Sequence, residues 1–177
     1  MKKILVIGAS TGIKSINRNL TSFTASLLTD CEHVHINIAE YNNTPIFSVE
    51  DKELNGTPSE IVSLTTQFNT CDGFIISFAE HNGSFAAGYK NVIDWISTQG
   101  KDMFNHKPMF LMSTSPGPRG GQNVLNSAIN YYPFMGGKVS ASFSLPSFFN
   151  NFKDDQIIDK DLKSTFDVEL EKFKKAL

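Results

Sequence analysis

Ile4-Leu5-Val6-Ile7-Gly8 runs straight into Ala9-Ser10-Thr11-Gly12-Ile13-Lys14-Ser15-Ile16-Asn17, and this junction decides the fold. The apolar run is short, β-branched and continuous rather than alternating, which suits a strand buried on both faces. Beyond it, Leu20, Phe23, Thr24, Leu27 and Leu28 recur at the spacing of one face of an amphipathic helix. Between strand and helix lies a loop with three hydroxyls, an Asn and a Lys. Free N–H groups at a helix start carry partial positive charge, so a hydroxyl-rich loop there suits a phosphate. The same hydroxyls also fit a plainer reading, with Ser15 capping the helix and Ser10 and Thr11 as solvated turn residues.

The pattern repeats along the chain. Asp72-Gly73-Phe74-Ile75-Ile76-Ser77-Phe78 reads as a second buried strand, Lys107 to Ser113 as another, and Lys138 to Leu145 as the last. His33 to Ile38 alternates polar and apolar, as an edge strand does, with His33 and His35 as solvated histidines rather than metal ligands. Helical periodicity covers Ile61 to Phe68, Phe85 to Ile96, Val124 to Tyr132 and Leu162 to Leu177. Thr57-Pro58-Ser59-Glu60 reads as a capping box opening the first of these, and Glu40 to Gly56 as a long loop over a site. Strands alternating with helices predict one domain over residues 1–177, an open parallel α/β sheet with helices on both faces. In such sheets ligands sit beyond the carboxyl ends of the strands. Residues 9–17, 79–84 and 114–121 are small, polar, glycine-containing loops at three such ends, and the site is expected where they converge.

Composition narrows the partners. A chain of 177 residues with 40% hydrophobic content and net charge −2 has neither the basic footprint of a nucleic-acid binder nor a polybasic membrane patch. The two cysteines, Cys31 and Cys71, lack CxxC spacing and read as free thiols in a reducing compartment. Met1-Lys2-Lys3 and the apolar run after it imitate a signal peptide, but the run breaks at Gly8. With no apolar span of 18 residues, the expectation is a soluble cytoplasmic protein with small-molecule partners. Fifteen phenylalanines, among them Phe47, Phe148, Phe149 and Phe152, suggest more aromatic surface than one core hides, hence a homodimer or homotetramer.

Three nucleotide readings compete for the first loop. Gly8-Ala9-Ser10-Thr11-Gly12-Ile13 has the look of a short-chain dehydrogenase motif, but Lys14 replaces its final glycine and no tyrosine is followed four residues later by lysine. A Walker A loop fails for want of GK[ST]. The third is a flavin mononucleotide site. Here Ser10 to Asn17 resembles the S-x-R-x-x-S-x-N phosphate loop of the NADPH-dependent FMN reductase family, the flavodoxin-like quinone, azo-dye and chromate reductases. Ala79-Glu80-His81-Asn82-Gly83-Ser84 through Lys90-Asn91-Val92-Ile93-Asp94-Trp95 is similar to the family's P-E-Y-N-x-S … K-N-A-I-D-W segment, and Ser115 to Gly121 to its glycine-rich turn beside the flavin ring.

The resemblance implies a flavodoxin-like three-layer sandwich whose five-stranded parallel sheet has the order 2-1-3-4-5. It implies an enzyme that takes hydride from NADPH or NADH onto FMN and passes electrons to a quinone, azo compound, flavin or metal oxyanion; the alternative is a flavodoxin-like electron carrier or flavin-binding module without its own hydride donor. Ser10, Thr11, Lys14, Ser15, Ile16 and Asn17 would hold the phosphate. Ala79, Glu80, His81 and Asn82, with Ser115, Pro116 and Gly117, would hold the ring. No side-chain nucleophile and no metal are implied, because the cofactor carries the chemistry. Three positions depart from the family: Gly12 stands for its arginine, Ala79 for its proline and His81 for its tyrosine.

Overall fold

The continuous apolar runs become the inner strands of one parallel sheet. The computed structural model describes residues 1–177. In chain order it contains β1 (Lys2–Ala9), α1 (Ile16–Ser26), β2 (Cys31–Asn37), α2 (Val49–Asn55), α3 (Ser59–Thr70) and β3 (Gly73–Phe78). A two-stranded hairpin, β4 (Glu80–His81) and β5 (Ser84–Phe85), precedes α4 (Ala87–Ser97), β6 (Pro108–Thr114), α5 (Gln122–Tyr131) and β7 (Lys138–Leu145). A short α6 (Phe148–Asn151), a second hairpin of β8 (Phe152–Lys153) and β9 (Gln156–Ile157), and α7 (Lys160–Ala176) complete the chain. The sheet order is β2-β1-β3-β6-β7, all parallel. Counting sheet strands alone, this is the expected 2-1-3-4-5.

Helices cover both faces, so each inner strand is buried on both sides. One core joins Leu5, Ile7, Phe74 and Ile76 to α3, α4 and α5, and the other joins Ile4, Val6, Ile75 and Phe110 to α1 and α7. Burial of whole aliphatic side chains at about 1.5–3 kcal/mol each makes these two layers the main driving force. Burial also fixes Cys71, whose thiol is pushed up to about 11 and stays protonated at neutral pH.

Four sequence expectations need correction. Glu40 to Gly56 is not a plain loop: it holds a 3-10 turn at Ile38–Tyr41 and α2, whose N-cap Ser48 accepts the Asp51 N–H at 3.0 Å. No residue of α2 is buried, so no apolar periodicity announces it. The Thr57 capping box does not form. Pro58 takes the N-cap position without a side-chain bond, and Glu60 accepts from the Thr44 hydroxyl at 3.0 Å instead. Phe85 belongs to β5 rather than α4, because Asn82 (φ 53) and Gly83 (φ 77) make a two-residue turn pairing His81 with Ser84. Of the aromatics expected at the surface, Phe148 and Phe152 are buried and Phe47 packs edge-on against Trp95; only Phe149 is exposed.

Candidate functional site at the carboxyl edge of the sheet

The loops after β1, β3 and β6 gather at one edge, and the Asn17 side chain ties them together. Asn17 lies in the first turn of α1 and is 3% exposed. Its Oδ1 accepts from the Ser77 hydroxyl at 2.7 Å and from the Thr114 N–H at 3.1 Å, while its Nδ2 donates to the Thr114 carbonyl at 3.2 Å. One carboxamide thereby joins α1 to the ends of β3 and β6, and its side chain is not free to hold a ligand. Ser15, the N-cap, accepts the Arg18 N–H at 3.2 Å, and Ser10 accepts the Gly12 N–H at 3.2 Å. Both hydroxyls keep a proton to donate. The N–H groups of Ile16 and Asn17, at the start of α1, have no acceptor within the chain. Such groups at a helix start are an anion seat.

The second loop is a hairpin rather than a bare turn. Glu80 sends its carboxylate to the start of α5, where Oε2 accepts the Val124 N–H at 3.0 Å. α5 has Gly121 at its N-cap and no side-chain cap of its own, so Glu80 supplies the acceptor and favourable charge that this end lacks. Beneath the hairpin Phe85 stacks on Tyr132 with ring centroids 6.2 Å apart, and the buried Tyr89 and Tyr132 hydroxyls share a 2.6 Å hydrogen bond. Burial raises both phenols well above their ordinary range. The third loop is pinned through the Gly120 carbonyl, which accepts from Ser113 at 2.7 Å and Ser144 at 3.1 Å.

Between the loops lies a cleft of about 190 Å³. From the first loop Ser10, Lys14, Ser15, Ile16 and Asn17 line it; from the others come Ala79, Glu80, His81, Ser115 and Pro116. Thr11, Asn82 and Gly117 stand off its wall. Thr11 packs against Gly88 of α4, where an added Cβ would lie 2.5 Å from its methyl group, so Gly88 permits that approach. Asn82 serves the hairpin turn, and the Gly117 carbonyl accepts from the Ser115 hydroxyl at 3.3 Å. Gly12 and Thr114, inside the expected loops 9–17 and 114–121 but given no individual contact there, also line the cleft. A hydroxyl at the last residue of a strand was the available signal for Thr114.

The expected covering loop instead straps α4. Asn91 Oδ1 accepts the Phe47 N–H at 2.8 Å, its Nδ2 reaches the Thr44 and Pro45 carbonyls at 3.3 and 3.0 Å, and Trp95 Nε1 donates to Pro45 at 2.7 Å. Asn91 and Trp95 are therefore packing and strap residues. The exposed Lys90 pairs with Asp94 on the same helix.

With this geometry in place, comparison with known proteins is decisive. The family model described as NADPH-dependent FMN reductase matches residues 2–150. The chain belongs to that family. Among its relatives, a quinone reductase of Escherichia coli strain K12 is 31% identical over 77 residues, covering 44% of this chain and 41% of that protein. An NAD(P)H-dependent FMN reductase of Pseudomonas aeruginosa is 26% identical over 114 residues, covering 64% of this chain and 61% of that protein. The match thus spans between two fifths and two thirds of the length of these two curated relatives. In three dimensions this family member is similar to FerB, a flavoenzyme NAD(P)H:acceptor oxidoreductase of Paracoccus denitrificans, with TM-score 0.76, 21% identity and 99% coverage of both chains. That likeness establishes the flavodoxin-like fold.

Asn17→Ala should lower stability by about 2–4 kcal/mol, since it removes three buried hydrogen bonds and orphans the Thr114 amide. Urea unfolding measures this. Ser77→Ala, which removes one of the three, should cost about 1 kcal/mol, and equal losses in the two variants would contradict the brace.

Proposed function

We propose that the chain is an FMN-dependent oxidoreductase that draws reducing equivalents from NADPH or NADH and reduces a small acceptor: a quinone, an azo compound, a flavin or a metal oxyanion. The observation that carries this reading is the unpaired pair of first-turn N–H groups at Ile16 and Asn17, flanked by the Ser10 and Ser15 hydroxyls, at a sheet edge whose three loops are already fixed. FMN has one terminal phosphate, and this seat fits one. When bound, the flavin supplies hydride acceptance and electron transfer. The chain's own residues bind and orient it. Ser10, Ser15, Ile16 and Asn17 would hold the phosphate through hydroxyls and backbone N–H groups, with exposed Lys14 adding charge. The cleft-lining residues Ala79 to His81, Ser115 and Pro116 would border the ring, with Asn82 and Gly117 shaping the turns behind them, and the exposed His81 on β4 would lie on that side of the cleft.

The two free thiols fit work in the cytoplasm, and no helix is long and apolar enough to cross a membrane. A second copy of the chain is the partner we assign to the α4–α5 face. There Tyr131 and Phe134 are 59% and 81% exposed. They stand beside an apolar groove of about 210 Å³ walled by Phe85, Tyr89, Ile93 and Met135. An apolar knob beside an apolar hole on one face is what a two-fold interface requires. Because Phe85 closes the flavin-side hairpin, such a dimer would set each flavin near the subunit boundary.

Titration with FMN should change the flavin absorbance spectrum, and anaerobic NADPH or NADH should then bleach it. An unchanged spectrum would overturn the flavin reading, and FMN uptake without bleaching by either donor would make the protein an electron carrier instead. Light scattering at micromolar concentration should give a multiple of the 19.6 kDa chain mass, and Phe134→Lys should return it to one chain. A wild-type species of 19.6 kDa would contradict the assigned partner.

A further inference from the structure

We infer that Arg18, which does not line the cleft, is the positioning residue that aims the phosphate loop, and that FMN affinity depends on it through the phosphate group. The inference rests on the flavin reading of the cleft. Arg18 Nη2 donates to the Gly12 carbonyl at 3.2 Å and to Asn37 Oδ1 at 2.8 Å. Asn37 is the last residue of β2 and is itself fixed, accepting the Ala39 N–H at 3.3 Å and donating to Glu40 at 3.2 Å. The guanidinium thus links the tip of the loop to the end of a sheet strand.

The consequence for the loop follows from peptide geometry. In a trans peptide the C=O of one residue and the N–H of the next point in opposite directions. Gly12 is on the cleft wall and Arg18 is not, so a Gly12 carbonyl turned to Arg18 directs the Ile13 N–H away from the guanidinium. That N–H has no acceptor in the chain. A glycine has the widest backbone freedom of any residue, and this peptide would otherwise be free to flip. Apart from the Ser10 bond to the Gly12 N–H, the arginine is the tether that holds residue 12. Its charge counts as well. Arg18 is half-buried with its Nε shut off from water, so its charge is held closer to the loop than that of the exposed Lys14. Gly12 stands where the resembled loop carries arginine. In this chain a guanidinium six residues later reaches back to the same point from behind.

The test separates phosphate from the rest of the flavin. Wild type, Arg18→Ala and Arg18→Lys are titrated with FMN and with riboflavin by quenching of flavin fluorescence, with circular dichroism melting as the fold control. Loss of a charge-assisted tether predicts FMN binding about 10- to 100-fold weaker in Arg18→Ala and riboflavin binding within about twofold of wild type. Arg18→Lys, keeping the charge but losing the planar guanidinium, should fall between. Inorganic phosphate should raise the melting temperature of wild type and not of Arg18→Ala. Equal weakening for FMN and riboflavin, or FMN binding unchanged in Arg18→Ala, would overturn the role of Arg18 while leaving the flavin site intact. A wild type that takes up no FMN would instead overturn the reading of the cleft.

Discussion

A single buried carboxamide holds the working edge of this molecule together. The sheet brings the ends of β1, β3 and β6 side by side, but adjacency alone does not fix the loops that leave them. Asn17 does, with both amide atoms engaged across the first turn of α1 and the ends of β3 and β6. Hydrogen bonds of this kind are worth about 1 kcal/mol each when made, and the cost of leaving their partners unmade inside the protein is larger. Removing the carboxamide is therefore costlier than removing any one of its partners. Glu80 extends the brace by joining the hairpin to the start of α5, so movement of one loop is resisted by the other two.

Charge is not what this cleft uses most. Lys14 is exposed, and an exposed cation contributes about 0–1 kcal/mol to holding an anion. Hydrogen bonds to a charged group are worth about 1.5–3 kcal/mol each, so two or three oriented N–H groups outweigh it. The absence of arginine at position 12 is on this account tolerable, provided that the loop's peptides face the right way. Orientation in turn requires fixed neighbours, which the Asn37 anchor and the close packing of Thr11 on Gly88 supply.

The sheet was legible because its inner strands are buried on both faces, and continuous runs such as Phe74-Ile75-Ile76 have few other interpretations. Helices with a buried face were legible for the same reason, and α2, which buries nothing, was not. Asn82-Gly83 is the strongest short-range hairpin signal a sequence offers, yet reading Ala79 to Ser84 as a ligand loop left it unused. The residue types of the first loop drew attention to the sheet edge where three loops meet, while the bonds among them were not legible. The Asn17 side chain holds the strands, a role the sequence did not announce, because the proximity of Ser77 and Thr114 exists only after folding. Likewise Asn91 and Trp95 grip the 44–47 segment across roughly half the chain's first hundred residues, a contact no local pattern encodes.

The central claim is that the site is assembled before any ligand arrives, and amide hydrogen exchange on the flavin-free protein tests it most directly. The account predicts that the Thr114 and Val124 amides, bonded to Asn17 and Glu80, exchange as slowly as the inner strands. The amides of Ile13, Ile16 and Asn17 should exchange freely and become protected when FMN is added. If Thr114 and Val124 exchange as fast as Ile13 without flavin, and all five become protected together on its addition, the loops are built by the ligand and the account is wrong.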